Sequence, residues 1–173
     1  MAANWTAFSS GAVLTAAQLN GVVDNFADIA IFNEQQTSGT DGGASTSGSF
    51  IKRTLNTTVV NNITGCSIAS SVITLPAGTY SVLAFAPFVS GSSIRIKLRN
   101  TTDSTDTLFS QNLYGAVANA GSSSLMSGVF TIAASKNFEV QYRVSNGIAS
   151  FGLGAASNFG TEIYTSIQIT RIA

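Results

Sequence analysis

The sequence predicts an all-β domain, a two-layer sandwich or a barrel, preceded by one short α-helix and a flexible arm. Three observations carry that expectation. From Phe50 onward, strand-forming runs bounded by Gly, Pro, Asn and Ser recur at intervals of roughly 8–15 residues, the spacing expected of sandwiches and barrels. Two runs alternate cleanly: Ile94, Ile96 and Leu98 with Arg95, Lys97 and Arg99, and Phe138, Val140, Tyr142 and Val144 with Glu139, Gln141 and Arg143. Such period-2 patterning marks strands with one buried and one wet face. Only one stretch, Thr15 to Ile31, carries a helical period.

That helix opens on a capping box, in which the Thr15 hydroxyl accepts from the Gln18 N–H and the Gln18 side chain reaches back. Leu19, Val22, Val23, Phe26 and Ala30 form an apolar stripe, widened by Ile29. A helix this short is marginal alone in water, so its stripe calls for a cover, either its own domain or, as the long joint after it favours, another protein or symmetry mates. Leu19, Val22, Val23, Phe26 and Ile29 are therefore the candidate docking residues. Residues 35–48 follow, low in apolar side chains and rich in Gly and Ser, and read as a flexible linker. No GK[ST] follows, so the glycines do not make a phosphate loop.

Strands are expected near Phe50–Thr57, Cys66–Ile68, Val72–Leu75, Thr79–Ala86, Ile94–Arg99, Leu108–Phe109, Leu125–Ile132, Phe138–Val144, Ala149–Leu153 and Glu162–Ile172. The organisation is an N-terminal anchor segment over 1–34, the linker over 35–48 and the β-sandwich over 49–173. In the last strand Ile163, Ile167 and Ile169 are assigned to one face, and Tyr164, Ser166 and Gln168 to the other.

The stretch Leu75–Pro87 is the informative one. Pro76 and Gly78 suit a type I turn, and Pro87 is expected to stop the strand. Between them Tyr80, Val82, Ala84 and Ala86 point one way, and Ser81, Leu83 and Phe85 the other. A strand apolar on both faces must be covered on both. One cover is the opposite sheet, and a neighbouring copy of the chain is the natural source of the second. The pattern leaves open which face fills the core and which meets the copy; the interface candidates taken forward are Leu83 and Phe85, with Tyr164, Ser166 and Gln168 on the last strand.

Composition narrows the chemistry. Charged residues make up 9% of the chain and the net charge is zero, against roughly 25% charged in ordinary globular proteins. No bulk attraction to nucleic acid or anionic lipid follows. The N-terminus lacks the basic and apolar segments of a cleavable signal, so synthesis in a cytoplasm is expected. The sequence holds no histidine and one cysteine, Cys66. The usual general base, triads and commonest metal ligand are missing, so no enzyme, cofactor or metal is expected. Asp103 and Asp106 loosely suit a divalent cation, but the calcium-loop pattern and its closing Glu are absent. Arg95, Lys97 and Arg99 form a basic row along one strand, read as paired with carboxylates such as Glu139 or, alternatively, as a face for an anionic partner.

Three sets of residues are similar to a family of bacteriophage virion proteins, short tail fibres and head-decorating proteins. The first is Phe8–Asn20. The second runs from Asn33-Glu34-Gln35-Gln36 through the glycine-rich joint to Arg53-Thr54-Leu55-Asn56-Thr57. The third comprises Leu75–Tyr80, Lys97–Ser104 and Ser157-Asn158-Phe159-Gly160. The resemblance implies a C1q/TNF-like jelly roll, a homotrimer, and an N-terminal segment attached to the particle through a major capsid protein or another virion protein. Long tail fibres of this family carry a shaft that this chain lacks, which favours a capsid decoration or cement protein, or a short fibre. The expectation is thus a non-enzymatic, homotrimeric virion structural protein. The alternatives are a receptor- or carbohydrate-binding module for a host surface glycan and, third, a cellular C1q-like ligand.

Overall fold

The computed structural model describes residues 11, 13, 15, 28–89, 93–115 and 121–172. Within them lie twelve strands and no helix: β1 (Ile29–Gln36), β2 (Ile51–Lys52), β3 (Thr57–Asn61), β4 (Ser67–Ala69), β5 (Val72–Leu75), β6 (Gly78–Val89), β7 (Ser93–Asn100), β8 (Thr105–Phe109), β9 (Leu113–Tyr114), β10 (Gly121–Ile132), β11 (Lys136–Val144) and β12 (Glu162–Arg171). They form two sheets, one ordered β10-β6-β12-β1-β3 and the other β4-β5-β11-β7-β8, with β2 extending the edge beside β11 and β9 the edge beside β7. All pairings between strands are antiparallel. The sheets face each other in a jelly-roll sandwich.

The core forms where the alternation predicts it. Ile94, Ile96 and Leu98 of β7, and Phe138, Val140, Tyr142 and Val144 of β11, meet Tyr80, Val82, Ala84, Ala86 and Phe88 of β6 across the sandwich. The β5–β6 corner is pinned by the Tyr80 hydroxyl, which donates to the Pro76 carbonyl at 2.6 Å. Pro87 does not end β6. The ladder with β12 stops at Phe85, while that with β10 continues to Val89. A strand paired on one side only tolerates a missing donor.

Four expectations are corrected. Ile29–Ile31 are not the end of a helix. They open β1, which lies between β12 and β3 and buries Ala30 and Phe32 in the core. Pairing on both sides outweighs the weak local period, and Ile29 sits opposite Thr170. Leu19, Val22, Val23 and Phe26 lie outside the described residues. The stretch 37–48 is not a free joint, because its backbone is hydrogen-bonded to the segment 148–154. Gly42 N donates to Gly154 O, Leu153 N to Gly43 O, and Ser45 N to Ile148 O. The segment Ala149–Leu153 forms turns rather than a strand, since its partners are these arm residues. Finally, the run Phe50–Thr57 breaks into β2 and β3, because Arg53 between them turns inward.

Arg53 is fully buried and is the side chain that ties the layers together. Its Nη2 meets Glu34 Oε2 of β1 at 2.8 Å and also donates to the Leu153 carbonyl. Its Nε donates to Thr165 Oγ1 of β12, which in turn donates to Glu34 Oε2. The guanidinium lies over the rings of Phe88 and Tyr142. Burial pushes the Glu34 carboxyl above its usual range while Arg53 pulls it back. Burial likewise lowers Arg53 against the pull of Glu34. Nothing in the sequence separates Arg53 from the surface cations.

Candidate functional site

The outer face of the β10-β6-β12-β1 sheet is the surface that the sequence required to be covered. Tyr80, Val82, Ala84 and Ala86 fill the core, and Leu83 and Phe85 face outward. Phe85 stands opposite Leu125 of β10 and Ser166 of β12, and Leu83 opposite Ser127 and Gln168. Ser81 lies between Val129 and Thr170. Leu83, Phe85, Leu125, Val129 and Ile163 are each roughly half exposed, at 42–59%. No outward position in these rows carries a charge, and Ile31 extends the face opposite Gln168.

The interface candidates on β12 divide. Ser166 and Gln168 lie on this outer face. Tyr164 does not: it is buried, and its hydroxyl donates to the Thr40 carbonyl at 2.7 Å. The register between β1 and β12 shifts between Asn33 and Gln35, where two residues of β1 span three of β12. A bulge reverses the alternation beyond it. Tyr164 therefore turns inward and Ile163 outward, the reverse of the expected assignment.

The basic row on β7 is largely neutralised within the chain. Lys97 Nζ lies 2.7 Å and Arg99 Nη1 2.9 Å from Asp106 Oδ1, and Lys97 is buried with its ammonium over the Phe50 ring. Glu139, the partner expected from the sequence, is Arg99's register neighbour but turns to Lys52 and Gln141. Arg95 differs. Its guanidinium lies 4.4 Å from the centre of the Phe109 ring and it forms no ion pair among the described residues. Asp103 is engaged by Lys136 at 2.6 Å, and lysine contacts hold both Asp103 and Asp106 below the usual carboxylate range. Among the described residues no group of three or more His, Cys, Asp and Glu side chains converges as a metal site. Cys66 packs against the core, and burial pushes its thiol up to about 11, so thiolate chemistry is suppressed at neutral pH.

Glu162 is a carboxylate that sequence reasoning assigned only to a strand. It accepts from the backbone N–H groups of Gly39, Ser157 and Asn158 and from the Ser157 hydroxyl. Those bonds lower it to about 2. Its role is to hold the arm turn at Gly39 against the loop at 157–158.

Comparison with known proteins locates the fold. No protein-family model matches the chain, and no curated protein resembles it in sequence. Among solved structures, murine APRIL at pH 5.0 matches with a TM-score of 0.53 at 11% identity, over 82% of this chain and 97% of that one. The globular domain of zebrafish complement 1qA protein matches at 0.53 and 12% identity, over 83% and 97%. Eiger TNF from S. frugiperda matches at 0.53 and 13% identity, over 84% and 92%. The fold is the C1q/TNF-like jelly roll.

Proposed function

We propose that this jelly roll is a non-enzymatic structural protein that assembles as a homotrimer through the outer face of its β10-β6-β12-β1 sheet and belongs to a bacteriophage virion. The observation that carries the reading is the uncharged apolar face around Leu83, Phe85, Leu125, Val129 and Ile163. Such contiguous exposed patches mark interaction sites, and a face with no charge to match suits a copy of itself around a symmetry axis. The virion assignment rests on the three sequence stretches resembling short tail fibres and head-decorating proteins. In this reading residues 1–27 attach the trimer to a major capsid protein or another virion protein, and the sandwich is displayed as a decoration, cement or short fibre.

Light scattering of the full chain at micromolar concentration tests the assembly: three chains per particle are expected, and a monomer overturns it. Deletion of residues 1–27 leaves β1 intact and tests attachment. Loss of incorporation into particles is expected, and unchanged incorporation overturns the docking role.

A further inference from the structure

A second surface is built differently and lies on the other sheet. Where β7, β9 and β11 meet residues 47–50, a groove of about 750 Å³ opens, within the range of about 300–1,000 Å³ usual for small-molecule sites. Arg95 of β7 and Arg143 of β11 both line it, and they are direct cross-strand neighbours. Like charges directly opposite one another are unfavourable, and an anion between them relieves the repulsion.

The surrounding cations make this pair distinctive. On the same sheet Lys52, Lys97, Arg99 and Lys136 each have a carboxylate, from Glu139, Asp106, Asp106 and Asp103. Arg95 and Arg143 have none among the described residues, and no carboxylate lines the groove. The rest of the lining is uncharged: Asn112, Ser145 and the flat ring of Tyr114, which is 71% exposed, stand beside the apolar side chains of Phe50 and Leu113. Phe109 supports Arg95 from beneath, so one guanidinium is held in place before any ligand arrives.

The groove's position is also fixed by register. Residue 28 enters beside β12 at the end where Ile29 faces Thr170. The groove lies at the other end, beyond Val89 and Val144, where Ser145 N donates to Ser93 O. At about 3.3 Å per residue, β6 alone spans roughly 35 Å between these ends. A chain tethered through residue 28 therefore points the groove outward.

We infer that this groove binds an acidic saccharide. Arg95 and Arg143 grip its carboxylate, since guanidinium groups pair with such oxyanions through parallel hydrogen bonds. Tyr114 stacks on a sugar ring, and Asn112 and Ser145 meet its hydroxyls. The inference is independent of the trimer contact, because the groove and the apolar face belong to different sheets.

Calorimetric titration of the full chain tests it, with trigalacturonate as probe and maltotriose, inorganic phosphate and tetraglutamate as comparators. Trigalacturonate is expected to bind at least about tenfold more tightly than each comparator, a difference of about 1.4 kcal/mol. Arg143→Met and Arg95→Met should each abolish that preference with the Tm unchanged, while Lys136→Met, outside the groove, retains it. Equal binding of maltotriose removes the acidic requirement, and equal binding of phosphate or tetraglutamate removes the saccharide. Absence of trigalacturonate binding, or its survival in both arginine variants, overturns the site. Light scattering on the same samples reports the assembly separately, so failure of one reading leaves the other testable.

Discussion

Arg53 and Glu34 show how much one buried pair can govern. Removing one partner of such a pair leaves an uncompensated charge and costs about 3–5 kcal/mol, whereas replacing both by apolar groups is often near neutral. Glu34→Leu alone should therefore lower the Tm sharply, and adding Arg53→Met to it should recover much of the loss. A double-mutant cycle by chemical denaturation checks this; additive losses would show that the two act separately. Glu162 gives a pH signature. Its folded-state value of about 2 lies below the ordinary 4.5, so its contribution is complete above pH 4.5 and fades as pH falls toward 2. Glu162→Gln should destabilise the protein at neutral pH and flatten the acid limb of the stability curve over that window. None of these three roles is legible in the sequence. A cation and a carboxylate in a strand pattern look alike whether they end in water or in the core, because burial is decided by partners distant in sequence.

At the level of elements, what the sequence disclosed depended on how many faces each strand buries. Strands β7 and β11 bury one face, and their alternation was plain. The β6 strand is apolar on both faces, so its pattern demanded a second cover without saying which side was core. Strand β1 was misread because Ile29–Ile31 satisfy both a helical and a strand period over so few residues. The arm at 37–48 was misread for another reason: its stability comes from backbone hydrogen bonds to residues 148–154 and from the Asp41 carboxylate, which accepts from Ala156 N, and these leave no apolar pattern. A Cβ at Gly42 would stand 2.7 Å from the Leu153 carbonyl oxygen. Gly42→Ala should thus lift the arm, and hydrogen exchange at the Ser45 amide should accelerate markedly. Unchanged protection there would show that the arm does not depend on this contact.

For the molecule as a whole, the fold class was readable because turn punctuation and strand alternation agree across most of the chain, a consistency that itself favours one structure. Assembly was readable only as a surplus of apolar surface. Phe85→Glu places a charge at the centre of that surface without touching the core. It should convert the trimer to a soluble monomer with native circular dichroism, as judged by light scattering; a persistent trimer would move the interface elsewhere. If three grooves accompany three subunits, their combined hold on a repetitive polysaccharide exceeds that of any one, provided the spacing of the acidic units matches.

The neighbouring placement of residues 28 and 172 also has a mechanical side. Strands β1 and β12 run antiparallel, and Arg171 N donates to Asp28 O where they meet. Tension applied between these two points would peel the pair open one hydrogen bond at a time. Tension entering at residue 28 and leaving through the far-end loops would instead load the whole β1 ladder in shear, with all its bonds resisting together. A chain pulled from its N-terminal side and gripped at the groove is thus loaded along its strong direction.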